Sequence, residues 1–363
     1  MVCIAAFIIL CIMSLFVGII AIIRRDIGRK YFKTFKKAWA CVWKKVRFQK
    51  CETNFKTDIK NSILSRVIIK KPKLVKPLSV TIEIISVIIV IIAIWSLAVL
   101  IKGGLALIAF GNCDVQNPEN CFTGSQVCSE GRPGPRNPIE AAGRWFTDFG
   151  IIGEGIWSRF KHWDAKDFIP AYISDNNQYF NPYDPDKPTA LDIFDPGCSN
   201  CLQSFVNKRD AGFFDTHNVA IMPYVLGDGT GLNKFANSSL VAKYIVATYH
   251  QPLKNTDRPA AWRIVENIFT TYTADNQIYQ AAFTSGTATE QFVESTLRSW
   301  LKSFGYTDAE VSLISALAHS DKISRAIDDF RQIAIDRIHI DVPVVGVPTM
   351  ISDGNRKSGI FRQ

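Results

Sequence analysis

Two long apolar runs dominate the first third of the chain. They extend from Val2 to Ile23 and roughly from Val80 to Ile101, and each is close to the ~20 residues that a helix needs to cross a hydrocarbon core. The second run carries no charged residue between Ile84 and Ile101, so it could lie in lipid without an uncompensated ion. The pattern predicts two transmembrane helices, at residues 1–23 and 78–108.

The first apolar run has a second interpretation, a cleaved signal peptide. Its start, Met1-Val2-Cys3-Ile4, lacks a basic region, and Arg24-Arg25 follows directly, where a small-residue cleavage site would belong. An uncleaved membrane anchor is therefore favoured.

The charge between the two runs predicts the orientation in the membrane. Residues 24–77 hold 18 Lys and Arg against 3 Asp and Glu, a net charge of +15, whereas the whole chain carries +9. Because basic flanks tend to stay in the cytoplasm, we expect this loop to be cytoplasmic. The N-terminus and the part after the second span would then face outside the cytoplasm. Contact with anionic lipid also fits the lysines and aromatic residues of the loop, and nucleic acid binding is not expected.

The part after the second span divides into two predicted regions. Residues 109–187 are rich in Gly, Pro, Asn and aromatic residues, which indicates a loop-rich membrane-proximal region with one helix near Pro138 to Arg159. Residues 188–363 begin with a compact pattern: the apolar run Ala190 to Phe194, a Cys-x-x-Cys motif opening a helix, and the apolar run Val219 to Leu226. This order predicts two parallel strands joined by a helix, with the dithiol at the strand-to-helix turn.

Helical periodicity then continues over about residues 237–337 and predicts a helical insertion, including a capping box at Thr307 to Glu310. Afterwards the pattern indicates strands again, at Ile338 to Ile340, at Val344-Val345 and at Thr349 to Ile351, followed by an Asp353-Gly354 turn.

The pair Cys198 and Cys201 is the candidate catalytic site. Two cysteines two residues apart at the first turn of a helix can close and reopen a small disulfide ring, and outside the cytoplasm thiols can oxidise. The helix N-terminus favours a thiolate, so Cys198 is the candidate nucleophile. Cys201, one turn deeper and less exposed, would resolve the mixed disulfide that Cys198 forms with a partner protein.

A purely structural disulfide and half of a zinc site remain as alternative interpretations of the pair. A zinc site would need a second Cys-x-x-Cys motif or a closely spaced His pair, and the sequence has neither. No metal and no cofactor are expected.

The sequence from about Ala190 to Gln363 resembles the thioredoxin superfamily, and within it the DsbA-like branch. The resemblance lies in Phe194 to Cys201 after a strand, the helical insertion after the second strand, and Val345-Gly346-Val347-Pro348-Thr349 before a later strand. It implies an α/β thioredoxin-like fold with a helical insertion, here preceded by two transmembrane helices. It also implies that Pro348 is cis and lies beside the dithiol, and that the backbone of Val347 binds the partner peptide.

Two departures from the family pattern limit what the resemblance implies. The dipeptide Ser199-Asn200 between the cysteines is unusual there, so the direction of electron flow does not follow from the family. The usual final helix has no counterpart after Arg356 to Gly359, so we expect another segment, such as the helix near Pro138 to Arg159, to cover that face of the sheet.

Three charged residues near the motif, Asp195, Lys208 and Arg209, are candidates for influencing the thiols. Asp195 could tune the dithiol electrostatically, but an Asp beside Pro-Gly is more often a turn residue. Lys208 and Arg209, more than two turns beyond Cys198, are most simply placed in solvent.

Three further cysteines, Cys113, Cys121 and Cys128, lie in the membrane-proximal region. Because their number is odd, we expect two of them to form a structural disulfide. The third could exchange with Cys198 or pair with another chain.

The sequence thus predicts a two-pass cell-membrane protein that acts as a thiol:disulfide oxidoreductase outside the cytoplasm. Its partners would be cysteine-containing exported proteins, and a dedicated membrane redox partner is a second possibility. The alternative is a thioredoxin-fold scaffold or assembly protein of a membrane or secretion complex with a static disulfide. No Walker-type loop, HExxH or GxSxG motif indicates another chemistry.

Overall fold

A computed structural model describes residues 36, 39, 40, 43 and 75–362, except 122–125, 174–178 and 255–257. The predicted first span at 1–23 and most of the predicted basic loop at 24–77 lie outside the described residues. The chain falls into two compact units, Met1–Ile101 and Lys102–Gln363.

The second predicted span lies in a long helix, α1 (Val75–Phe110, 36 residues). At a rise of 1.5 Å per residue it is roughly 54 Å long. Within the described part of the chain, its segment Val87–Phe110 is long and apolar enough to cross a membrane. Large apolar side chains such as Ile91 and Leu100 are exposed along it.

The second unit contains mixed α and β elements in addition to short 3-10 turns. In chain order they are β1 (Cys128–Ser129), α2 (Pro138–Ser158), β2 (Thr189–Phe194), α3 (Ser199–Asp210), α4 (Phe213–Thr216), β3 (Asn218–Pro223), α5 (Ser238–Ala247), α6 (Ala260–Thr270), α7 (Tyr279–Thr284), α8 (Glu290–Ser303), α9 (Asp308–Ala318), α10 (Asp321–Ile333), a π-helical turn (Ala334–Ile338), β4 (Gly346–Val347), β5 (Thr349–Ser352) and β6 (Asn355–Ser358).

Four of the strands form one sheet in the order β3-β2-β5-β6. Strand β2 pairs in parallel with β3 and antiparallel with β5, and β6 pairs antiparallel with β5. All residues of β2 and β3 are buried, which explains why both appear in the sequence as apolar runs without alternation. The two predicted parallel strands and the predicted turn at Asp353-Gly354, which joins β5 to β6, are confirmed.

Six helices, α5 to α10, separate β3 from β4 and contribute much of the apolar core. Trp262 of α6, Tyr244 of α5 and Phe330 of α10 are among the largest fully buried side chains. The predicted capping box is present: the Thr307 hydroxyl accepts from the backbone N–H of Glu310, and the Glu310 carboxylate accepts from the backbone of Thr307.

Two expectations about secondary structure and packing are wrong. Ile338 to Ile340 is not a strand, because α10 continues through the π-helical turn, where the His339 backbone N–H donates to the Ala334 carbonyl at 2.9 Å. Helix α2 makes no extensive contact with the sheet; its Ile152 packs with Ala106 at the end of α1 instead. The strand predicted at Val344-Val345 begins two residues later, at Gly346.

Buried His339 makes the stability of this unit sensitive to acid. Burial and the nearby Arg356 charge lower the pKa of His339 to about 4 from 6.5, so between these values the unfolded chain binds more protons than the folded one, and stability falls as pH falls. Relative to His339→Gln, the wild type is expected to lose about 3 kcal/mol of unfolding free energy between pH 7 and pH 4. Urea unfolding of both proteins at the two pH values measures this; parallel pH profiles would contradict it.

Candidate functional site

The Cys198-x-x-Cys201 motif lies where strand β2 ends and helix α3 begins. Cys198 is the N-cap residue of α3, and its backbone N–H donates to the Asp195 carbonyl at 3.1 Å. The turn is closely packed: a Cβ added to Gly197 would come within 2.4 Å of Phe235, so only glycine fits. The predicted strand-to-helix position of the motif is confirmed.

The peptide bond between Val347 and Pro348 is cis, as the thioredoxin-like resemblance implies. The carbonyl oxygen of Val347 lies 3.7 Å from Cys198 Sγ, although the two residues are 149 positions apart in the chain. Strand β4, which ends at Val347, therefore runs directly beside the dithiol.

Cys198 forms a disulfide bond with Cys128, and Cys201 is a buried free thiol. We expected Cys201 to be the less exposed of the motif's two cysteines, but Cys198 is 0% exposed and Cys201 2%. Strand β1 explains the burial of Cys198: it pairs antiparallel with β4, and its Cys128 lies opposite Val347.

The expectation of one structural disulfide among the three membrane-proximal cysteines agrees with a bond between Cys113 and Cys121, which closes a short loop after α1. The third cysteine, Cys128, is the one bonded to Cys198. Of the two fates considered for it, pairing with another chain and exchange with Cys198, the structure shows contact with Cys198.

The surroundings of Cys201 make its thiol a weaker acid than an ordinary cysteine thiol. Burial raises its pKa well above the usual value, the hydrogen bond with the Asp195 backbone opposes this, and the Asp195 and Asp192 carboxylates raise it further. Asp195 is itself fully buried, and burial raises its pKa to about 6 from 3.8. Its two carboxylate oxygens accept from the backbone N–H groups of Gly197 at 2.7 Å and Leu226 at 2.8 Å. Asp195 thus stabilises the turn and also acts electrostatically on Cys201.

A buried ion pair near the dithiol was not predicted from the sequence. Lys208, expected in solvent, is only 1% exposed and lies with its Nζ 2.5 Å from Oδ2 of Asp192. The pair influences Cys201 directly, since Lys208 lowers and Asp192 raises the pKa of that thiol. One signal could have revealed it: Asp192 lies within an otherwise apolar buried strand, where a carboxylate needs a partner. Lys208 is seven residues, about two turns, after Cys201 on α3 and therefore on the same helix face.

Among the residues that the structure describes, no group of three or more His, Cys, Asp or Glu side chains could hold a metal ion. The site itself offers its sulfur atoms, the Asp195 and Asp192 carboxylates and the Lys208 ammonium.

Comparison with known proteins adds little to this geometry. No family model matches the chain, and no curated protein matches it. A crystal structure of an oxidized DsbA1 mutant is similar over 52% of this chain and 86% of that chain, with 19% sequence identity and a TM-score of 0.27. At that level of similarity, only the geometry of the site itself indicates what the chain does.

Proposed function

We propose that the chain is a membrane-attached thiol:disulfide oxidoreductase of the thioredoxin superfamily that exchanges disulfides with cysteine-containing proteins outside the cytoplasm. One observation supports this most directly. Cys198 is bonded to a cysteine on a strand that pairs with Val347, beside a cis proline, while a free thiol, Cys201, lies one turn further along the same helix. This is the geometry that a mixed disulfide with a partner would require.

The chemistry proceeds by two exchange steps. The Cys198 thiolate attacks one sulfur of a partner disulfide, the partner's S–S bond breaks, and a mixed disulfide forms at Cys198. Cys201 then loses its proton and attacks Cys198, which closes the Cys198–Cys201 bond and releases the partner as a dithiol. Oxidation of a partner follows the same steps in reverse, and the relative reduction potentials set the direction.

The neighbouring residues have distinct roles in this scheme. The backbone of Val347 aligns an extended partner segment as an added strand, and cis Pro348 keeps that backbone beside the sulfur. Buried Asp195 and the Asp192–Lys208 pair adjust the acidity of Cys201, and through it the rate at which the mixed disulfide is resolved.

The membrane attachment rests on α1 and on the charge pattern. In a helix with exposed Ile and Leu side chains, burial in lipid removes apolar surface from water. The basic segment before it favours a cytoplasmic loop by the rule for positively charged flanks. Together with the first apolar run this gives a two-pass anchor whose dithiol unit faces outside.

A second function is favoured by one specific observation, the complete burial of Cys198. If the Cys128–Cys198 bond were a permanent crosslink, the chain would be a scaffold with a static disulfide in a membrane or secretion complex.

Catalytic turnover of a peptide disulfide distinguishes the oxidoreductase from the scaffold with a static disulfide. The full chain in detergent micelles, with its remaining cysteines at 3, 11, 41 and 51 replaced by serine, is mixed with a fluorescent peptide disulfide and a dithiol reductant. An oxidoreductase converts many peptides per chain, and a variant with Cys113→Ser and Cys121→Ser keeps this activity. A rate equal to that of the reductant alone would support the scaffold.

A further inference from the structure

The segment Val127–Gly131, here called the cysteine strap, lies in the groove beside the dithiol. Its strand β1 places Cys128 opposite Val347 and Ser129 opposite Gly346, and the Glu130 backbone N–H extends the pairing to the Val345 carbonyl at 3.1 Å. The strap therefore uses the same backbone edge that a partner peptide would need.

The strap is held by more than its disulfide. The Glu130 carboxylate accepts from the Tyr224 hydroxyl at 2.7 Å and from Arg331 at 2.5 Å. Lys234 donates to the Ser129 carbonyl at 2.8 Å. These contacts do not involve the sulfur atoms, so they still favour return of the strap to the groove after the disulfide opens.

The sequence of the strap is adapted to this position. The Gly131 N–H donates to the Gly227 carbonyl at 2.8 Å, and a Cβ on Gly131 would lie 2.0 Å from the Asp228 carbonyl oxygen. Since two backbones approach this closely, no other residue fits at Gly131 without moving the strap.

Occupation by the strap and binding of a partner exclude each other. With the strap in place, Cys198 is fully buried, and a partner disulfide cannot reach its sulfur. A site that exchanges disulfides with other proteins must therefore release the strap first.

We propose that the cysteine strap is an internal substrate and that Cys128 is a third exchanging cysteine, which Cys201 displaces from Cys198. This inference rests on the proposed function. In the displacement, the Cys201 sulfur attacks Cys198 Sγ, the Cys198–Cys201 bond forms, and the Cys128–Cys198 bond breaks. Cys128 leaves as a thiolate and takes up one proton, while Cys201 has given up one. Before and after this exchange, Cys128, Cys198 and Cys201 together hold one disulfide and one thiol, so no external oxidant or reductant is required.

The position of the free thiol tests this proposal. The oxidised full chain in micelles, with serine at 3, 11, 41 and 51, is incubated with a maleimide under native conditions, and the labelled cysteine is identified by mass spectrometry after unfolding. We expect label to accumulate on Cys128, because alkylation removes the displaced thiol from the equilibrium. In Cys201→Ser, Cys128 is expected to stay unlabelled.

A pair of glutamate variants tests the non-covalent hold on the strap. Glu130→Gln is expected to speed labelling of Cys128 about fivefold, because the carboxylate that binds Tyr224 and Arg331 loses its charge. Glu294→Gln is the matched control: Glu294 also accepts from a tyrosine hydroxyl, that of Tyr244 at 2.7 Å, but on the helical insertion. It should leave the labelling rate unchanged.

The two proposals fail in different ways. If the chain turns over peptide disulfides but the label appears only on Cys201, the strap is not an internal substrate and the proposed function stands. If there is no turnover and Cys128 remains unlabelled, the bond is a static crosslink and both proposals are wrong.

Discussion

Replacing Cys198 by serine is expected to reduce turnover of the peptide disulfide on the order of a thousandfold or more, to the rate of the reductant alone. A serine hydroxyl does not attack a disulfide, because only the thiolate has the required nucleophilicity. The remaining motif cysteine, Cys201, is a poor substitute, since burial raises its pKa well above the usual value and little of it is thiolate near neutral pH. The assay is the fluorescence measurement with the full chain in micelles.

Cys201→Ser provides the matched comparison, because it removes the other sulfur of the same motif. Without the resolving thiol, Cys198 can still attack, but the mixed disulfide with the peptide persists until an external thiol cleaves it. In a Cys128→Ser background, where the strap cannot occupy Cys198 covalently, the adduct should be detectable as an added peptide mass on Cys198. Equal activity of the Cys198→Ser and wild-type chains would show that exchange occurs elsewhere.

Replacing Lys208 by methionine is expected to lower the free energy of unfolding by about 3–5 kcal/mol, because it leaves the buried Asp192 carboxylate without its cation. Methionine has a similar length, so the change removes the charge and little of the packing. Urea unfolding of the full chain in micelles, followed by near-UV circular dichroism, measures the loss.

Two control variants show whether the loss of stability comes from the Asp192–Lys208 ion pair. Arg209→Met changes the neighbouring residue, which is about half exposed and pairs with Asp210 on the surface; it should alter stability by less than about 0.5 kcal/mol. The double variant Asp192→Leu with Lys208→Met removes both charges and should recover most of the loss, which also keeps the test valid if the single variant does not fold. A Lys208→Met chain as stable as Arg209→Met would contradict the structure of this pair.

The parts of the fold that depend on local sequence were predictable. The apolar runs that became β2 and β3, the cysteine at the start of α3 and the capping box at Thr307 each have a signal within a few residues. The cis bond before Pro348 was anticipated from the family resemblance, since a Val-Gly-Val-Pro-Thr stretch alone does not reveal it.

The features that were missed depend on contacts between distant residues. Strand β1 has only two residues and no periodic pattern, and the bond from Cys128 to Cys198 spans 70 positions. A lysine on a helix is usually exposed, so the local sequence predicts Lys208 in solvent; only the Asp192 carboxylate within β2 indicates a buried partner. The alternating apolar residues around Ile338 predict a strand, whereas in the fold this segment ends a helix.

The reduction potential of the disulfide that Cys198 forms tests the central claim most directly. The full chain, with serine at 3, 11, 41 and 51, is equilibrated with graded thiol buffers, and the fraction of chains with Cys198 in a disulfide is measured by mass after acid quenching. A reversible two-electron transition between about −120 and −270 mV is the predicted result, because working oxidoreductases fall in that range. A Cys198 disulfide that stays closed below about −300 mV would contradict the account and identify the bond as a structural crosslink.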